Sequence, residues 1–147
     1  MNHALSRFTQ RIASGSCAAV LAAAGSLFAA VAMPASAQAA PTLTCTITPG
    51  GTPSTTNCGT SVVNTAYNAN FVVTGLPSGT YSYAWTATGA LPQPISCSGS
   101  ICNQALDADH QDVREKVQVV ATNTATNATY TLSVRVGLFA VCGAYLC

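Results

Sequence analysis

Charged side chains are scarce in this chain of 147 residues. Five lysines and arginines and four aspartates and glutamates make up about 6% of the sequence, against roughly 25% in an average soluble domain. Beyond the first forty residues, only Arg114, Lys116 and Arg135 carry positive charge. A nucleic-acid surface needs a cluster of cations to neutralise phosphates. The composition therefore argues against nucleic acid as a partner and predicts a surface of Thr, Ser, Asn and Gly.

Long apolar runs are also missing, with one exception near the N-terminus. The uncharged stretch from Cys17 to Met33 follows a start that contains arginines, and the small residues of "ASAQAA" come after it. This order of basic, apolar and small residues is typical of a secretory signal peptide. We expect residues 1–39 to be a signal peptide and residues 40–147 to be one folded domain. The alternative is a retained membrane anchor, since the run lies near the lower length limit for crossing a bilayer.

Six cysteines follow the expected signal peptide, and none of them forms a Cys-x-x-Cys pair, which argues against a metal–thiolate site. An even number of cysteines in an exported chain indicates three disulfides. Other pairings remain open, but the short spacings favour the sequential one, which joins Cys45 to Cys58, Cys97 to Cys102 and Cys142 to Cys147. The cysteines thus predict a secreted or cell-surface location, with the periplasm as an alternative compartment.

The domain has the pattern of a β protein throughout. "TLTCTIT" alternates apolar and polar residues, and "VREKVQVVAT" and "TYTLSVRVGLF" do so over longer stretches, as expected for strands with one buried face. About seven short strands separated by turn residues predict an antiparallel β-sandwich. In "TYSYAWTAT", Tyr81, Tyr83 and Trp85 share one face. We expect Trp85 to be buried between the two sheets, next to Val117 and Val119.

Two of these segments carry a resemblance to a known family. "YSYAWTATG" and the later "VQVVATNTATNATYTLSVRV" resemble the core of bacterial immunoglobulin-like domains, including the PKD-like group, over roughly Asn64 to Leu138. The resemblance implies an immunoglobulin-like sandwich of about seven strands and a role in binding or adhesion. It implies no site, and the chain has Thr86-Ala87-Thr88-Gly89 where PKD domains often have Phe-Gly-Asp-Gly.

All four acidic residues lie within one segment that leads into a predicted strand. Asp107, Asp109 and Asp112 could supply oxygen ligands to Ca²⁺, although their spacing lacks the central glycine of an EF-hand loop. The alternatives are a polar recognition patch and a solvated loop at one end of the sandwich. We favour the solvated loop, with Glu115 at the open rim of the strand, and expect neither a metal nor another cofactor.

Residues for catalysis are few. After the expected signal peptide, His110 is the only histidine, and no Gly-x-Ser-x-Gly motif is present. A Ser-His-Asp arrangement would therefore have to use His110, and a pair of glycosidase carboxylates would have to come from the acidic segment alone. We expect that the protein is not an enzyme and has no catalytic residues.

The C-terminal stretch from Gly137 onwards has no charged side chain and is apolar on both faces. Such a segment is either buried on both sides or part of an interface. We predict an interface in which Phe139, Val141 and Tyr145 contact a partner and the Cys142–Cys147 disulfide fixes the shape. The alternative is a tail that folds back over its own sandwich.

Together these features predict an exported, non-catalytic surface or secreted module for adhesion, assembly or recognition, of the kind found in bacterial pili, adhesins and matrices. Its partner would be a protein or glycan at the cell surface, or another copy of the chain. The alternative function is a small secreted inhibitor or effector that inserts a disulfide-closed loop into another protein. Assembly predicts polymers or surface attachment, whereas an inhibitor predicts a soluble monomer.

Overall fold

The computed structural model describes residues 39–89 and 93–147. Within these ranges the chain forms ten strands and no helix, which confirms the prediction of an all-β protein. The strands are β1 (Thr42–Thr48), β2 (Asn57–Cys58), β3 (Ala66–Thr74), β4 (Tyr81–Gly89), β5 (Ile95–Ser98), β6 (Ile101–Asp107), β7 (Val113–Asn123), β8 (Thr129–Leu138), β9 (Val141–Cys142) and β10 (Tyr145–Leu146). The predicted signal peptide lies outside the described residues, apart from Ala39. No helix in the described part is long and apolar enough to cross a membrane.

Eight of the strands form two four-stranded sheets. The first sheet has the order β1-β3-β6-β5 and the second the order β2-β8-β7-β4, while β9 and β10 form a separate hairpin. All neighbours are antiparallel except β2, which pairs with β8 in parallel. Seven strands have four or more residues, and β2, β9 and β10 have only two. These three were missed in the sequence because a two-residue strand is too short to show alternation.

The inner faces of the two sheets share one hydrophobic core, which gives a sandwich-like arrangement. Alternate residues of β7 and β8 point inwards, and Val117, Val119, Val134 and Val136 are all buried. The first sheet contributes the other half of the core, namely Leu43, Cys45, Ile47, Tyr67, Ala69, Phe71, Val73, Cys102 and Leu106. Burial of these apolar side chains is the main favourable contribution to folding.

Trp85 packs against the hydrophobic core opposite Val119, as predicted, but it is only partly buried. Its indole faces the core, with the ring centre 6.5 Å from that of Phe71, and its Nε1 donates a hydrogen bond to the Gly99 carbonyl at 3.0 Å. Because β4 is an edge strand of the second sheet, Trp85 has a neighbouring strand on one side only. Its ring therefore covers the edge of the core, on the side where β4 has no neighbouring strand.

The three disulfides join the cysteines in the sequential order that their spacing favoured. Cys45–Cys58 connects β1 of the first sheet to β2 of the second, and both cysteines are buried. Cys97–Cys102 links the neighbouring strands β5 and β6. The third, Cys142–Cys147, closes the hairpin at the C-terminus. One bridge therefore holds the two sheets together, and the other two act locally.

Candidate functional site

The C-terminal tail, residues 139–147, is attached to the acidic loop, residues 108–112. The Val141 amide donates to the Ala108 carbonyl at 2.9 Å, and the His110 amide donates to the Val141 carbonyl at 3.0 Å. The Ala140 amide donates to Oδ1 of Asp112, also at 2.9 Å. Ala108 and Val141 are both fully buried. The loop and the tail thus form one structural unit at this end of the molecule.

Within the tail, the β9–β10 hairpin is closed by its disulfide and by a two-residue turn. Gly143, the first central residue of the turn, has a φ of 66°, a conformation that glycine adopts without the steric cost that other residues pay and that suits a type II′ hairpin turn. The Cys147 amide donates to the Ala140 carbonyl at 3.0 Å. These constraints hold the last residues of the chain in a single shape.

The tail exposes the three most exposed large apolar side chains of the described residues. Phe139 is 64% exposed, Tyr145 78% and Leu146 55%. Val62, 41% exposed, lines a cleft of about 270 Å³ together with Phe139 and Leu146. We call Val62, Phe139, Tyr145 and Leu146 the tail patch. Val141, the third predicted contact residue, is fully buried and is therefore corrected to a core residue.

The three aspartates of the predicted calcium set each make a different local contact. Oδ1 of Asp107 accepts a hydrogen bond from the Asp109 amide at 2.9 Å, and Oδ1 of Asp109 lies 2.8 Å from Nδ1 of His110. Oδ2 of Asp112 accepts two bonds from the Arg114 guanidinium, at 2.9 and 3.1 Å. In residues 39–89 and 93–147, no group of three acidic, histidine or cysteine side chains is arranged to hold a metal ion. The carboxylates instead order the loop.

Asp112 is the acidic residue that connects the loop to the tail. The hydrogen bond from the Ala140 amide lowers the pKa of this carboxyl below its usual value, and the side-chain hydrogen bond from Arg114 lowers it further. Both donors favour the ionised form because each directs an N–H group at a carboxylate oxygen. The ionised carboxylate therefore stabilises the attachment of the tail.

Glu115 is buried, which corrects the prediction that it lies at the open rim of its strand. It is 4% exposed, and its two oxygens accept hydrogen bonds from the Gln93 amide and from Nε2 of Gln104, each at 2.7 Å. Gln104 is 1% exposed and belongs to β6 in the opposite sheet. Nε2 of Gln104 also donates to the Gln93 carbonyl at 2.8 Å. The carboxylate thus bridges the two sheets.

The sequence held a partial signal for this contact. Glu115 has the inward parity of β7, shared with Val113 and Val117, but no local pattern identifies Gln104 as its partner. His110, the remaining candidate for chemistry, has an exposed side chain that hydrogen bonds to Asp109 and, in the described part of the chain, to no serine.

Comparisons with protein-family models, with curated proteins and with solved structures found no match for this chain. The resemblance to immunoglobulin-like domains therefore stays a prediction from its motifs. A function therefore has to be argued from the surface of this chain. The tail patch is the most apolar part of that surface.

Proposed function

We propose that this protein is an exported, non-catalytic assembly module with an immunoglobulin-like sandwich, and that its tail patch binds a second copy of the chain. The observation that carries the proposal is the exposure of Phe139, Tyr145 and Leu146 within the last nine residues. Large apolar side chains grouped on a surface are typical of protein interfaces. Aromatic residues often contribute most of the energy of such interfaces.

The rigidity of the tail supports this proposal. The Cys142–Cys147 disulfide and the hydrogen bonds to Ala108 and Asp112 hold the apolar side chains in position before any partner arrives. A surface that is already ordered loses less conformational entropy on association. Flexible tails would pay this cost when they bind, so a fixed hairpin is better suited to assembly.

Charge supports a second copy as the partner. Residues 39–147 contain three cations and four acids, a net charge of minus one, and the tail itself has no charged side chain. A small net charge gives little electrostatic repulsion between copies. Three disulfides are consistent with the oxidising compartment in which exported proteins assemble.

The proposal is tested by the sedimentation velocity of the purified protein with its disulfides intact. We expect concentration-dependent oligomers, and we expect the Phe139→Ser/Tyr145→Ser variant to be monomeric with a nearly unchanged melting temperature. The matched control is Ile101→Ser, which removes an apolar side chain of 45% exposure from the first sheet, and this variant should still assemble.

Two results would contradict assembly through the tail patch. A wild-type protein that stays monomeric at all concentrations would favour the alternative, a secreted inhibitor or effector. If Phe139→Ser/Tyr145→Ser unfolds the monomer and has no separate effect on association, the tail is a structural element and the interface assignment is wrong.

A further inference from the structure

All three lysine and arginine residues of the described chain lie together on the outer face of the second sheet. Arg114 and Lys116 belong to β7 and Arg135 to β8, and all three are exposed. Lys116 is directly opposite Arg135 in the antiparallel ladder. The Arg135 amide donates to the Thr56 carbonyl, away from β7. The Lys116–Arg135 pair is therefore of the non-hydrogen-bonded type, in which opposed side chains are closest.

This pair of cations has no counterion in the described part of the chain. Arg114 is bonded to Asp112, whereas neither Lys116 nor Arg135 has a carboxylate oxygen within 4.0 Å. Like charges directly opposite each other on a sheet are destabilising. Two of only three cations are thus placed where they lower stability, and an anion bound between them would remove that cost.

A groove of about 600 Å³ runs across the sheet at this point, lined by Asn57, Cys58, Gly59, Thr88, Arg114, Glu115, Lys116, Arg135, Val136 and Gly137. Glycine keeps the groove open. Gly137 is exposed and lies opposite Arg114, and a Cβ atom added to it would meet no atom within 4 Å. Any larger side chain at this position would occupy space that is now free for a ligand.

We propose that this groove binds a linear acidic polysaccharide, with sugar carboxylates held between Lys116 and Arg135. The hydroxyl of Thr88 and the amide of Asn57, which also line the groove, are suited to hydrogen bonds with sugar hydroxyl groups. An arginine fork and a lysine point charge are both effective partners for carboxylates. The site shares no residue with the tail patch and does not depend on self-assembly.

Two other kinds of polyanion fit the groove less well. Nucleic acid is bound through many phosphate contacts, and three cations are too few for such a surface. An extended peptide normally binds a sheet through free backbone groups at an edge, but the groove lies mainly over β8 and β7, whose backbone groups are paired on both sides, and it reaches the edge strands only at the two-residue β2 and at Thr88 of β4. An acidic sugar chain needs only side-chain contacts.

The first experiment measures calorimetric binding of hexagalacturonate to the full protein at low salt. We expect binding that weakens as salt is added, and a loss of about tenfold or more in affinity for the Lys116→Gln/Arg135→Gln variant, because two exposed charge contacts are removed. The matched control, Asn68→Asp/Asn103→Asp, lowers the net charge equally on the outer face of the first sheet. This control should bind within about twofold of the wild type, allowing for screening of distant charges.

A second variant tests the groove without changing any charge. Gly137→Val fills the open floor with a residue that strands favour, and the space around Gly137 accepts a side chain. We expect this variant to bind hexagalacturonate about tenfold or more weakly, because the valine side chain occupies space that the ligand would fill. Its melting temperature should not be reduced.

The methyl ester of hexagalacturonate, which lacks the negative charges, should not bind. The proposal is overturned if the ester binds as well as the acid, if hexagalacturonate does not bind at all, or if the Asn68→Asp/Asn103→Asp control weakens binding as much as the groove variant. Hexa-aspartate bound as tightly as the sugar, with the same dependence on Lys116 and Arg135, would identify an acidic peptide as the ligand and refute the polysaccharide.

Discussion

At the scale of single residues, Glu115 shows how an acidic side chain is accommodated inside a small β-sandwich. Its carboxylate has two N–H donors, the Gln93 amide and the Gln104 side chain. Loss of the carboxylate would leave both donors buried with fewer acceptors, and an unsatisfied buried polar group costs about 1–3 kcal/mol. Among the described residues, Oε1 of Gln104 already lacks a hydrogen-bond partner. The Glu115–Gln104 contact is therefore sensitive to the loss of any further hydrogen-bond acceptor.

We predict that Glu115→Ala lowers the free energy of unfolding by about 3 kcal/mol, because it removes a buried acceptor and leaves a cavity. Urea denaturation measures this value. Lys116→Ala, at the exposed neighbouring position, should change stability by no more than about 0.5 kcal/mol. Equal effects of the two substitutions would show that the carboxylate does not bridge the sheets.

At the scale of elements, the tail depends on the acidic loop for its position. The Asp112–Ala140 hydrogen bond lies next to the backbone pairing of Val141 with Ala108 and His110. The tail has no place in either large sheet, so these few bonds and the burial of Val141 define where it lies. The charge state of Asp112 should therefore influence how firmly the tail is attached.

We predict that attachment of the tail weakens in acid. The folded-state pKa of Asp112 is lowered from its usual 3.8, so its stabilising contribution is fully present above that value and is lost as the pH falls through the folded pKa. Amide hydrogen exchange at Ala140, followed by NMR from about pH 6 down to about pH 2, should show a loss of protection at the acidic end beyond the intrinsic change in exchange rate.

The control for this prediction is a neutral residue of the same shape. Asp112→Asn keeps an oxygen acceptor for the Ala140 amide but has no charge to lose. In this variant, protection of the Ala140 amide from hydrogen exchange should therefore be nearly independent of pH. Asp109→Asn, whose side chain does not bond to the tail, should behave as the wild type. If Asp112→Asn and the wild type lose protection in parallel, Asp112 does not control the attachment.

At the scale of the whole molecule, the Cys45–Cys58 disulfide is the covalent link between the two sheets. It joins β1 to β2 across 13 residues, whereas Cys142–Cys147 spans only five. The larger loop removes more conformational entropy from the unfolded chain. The cross-sheet cysteines are also buried in the common core, so their contribution to stability should be the larger of the two.

We predict that Cys45→Ala/Cys58→Ala lowers the free energy of unfolding by about 3 kcal/mol or more, and Cys142→Ala/Cys147→Ala by about 2 kcal/mol. Denaturant titrations of both variants give the two values. The second variant should also lose self-assembly, because the tail patch is no longer held in one shape. A greater loss of stability from the terminal bridge would contradict this order.

The sequence by itself determined the properties that depend on local period and spacing. Alternation along β7 and β8 specifies their inward faces, since successive side chains of a strand point to opposite sides. Short separations favour the sequential disulfides, because cysteines that are close in the chain meet at a small entropic cost. The exposed Phe139 and Tyr145 could also be identified, since neither face of the last segment is polar.

Only the tertiary structure decided which distant residues become neighbours. Glu115 meets Gln104 because the two sheets face each other, and Lys116 meets Arg135 because of the register between β7 and β8. Val141 is buried because the tail lies against the acidic loop. Sheet packing and strand register join residues that are far apart in the chain, so no local pattern could specify these contacts.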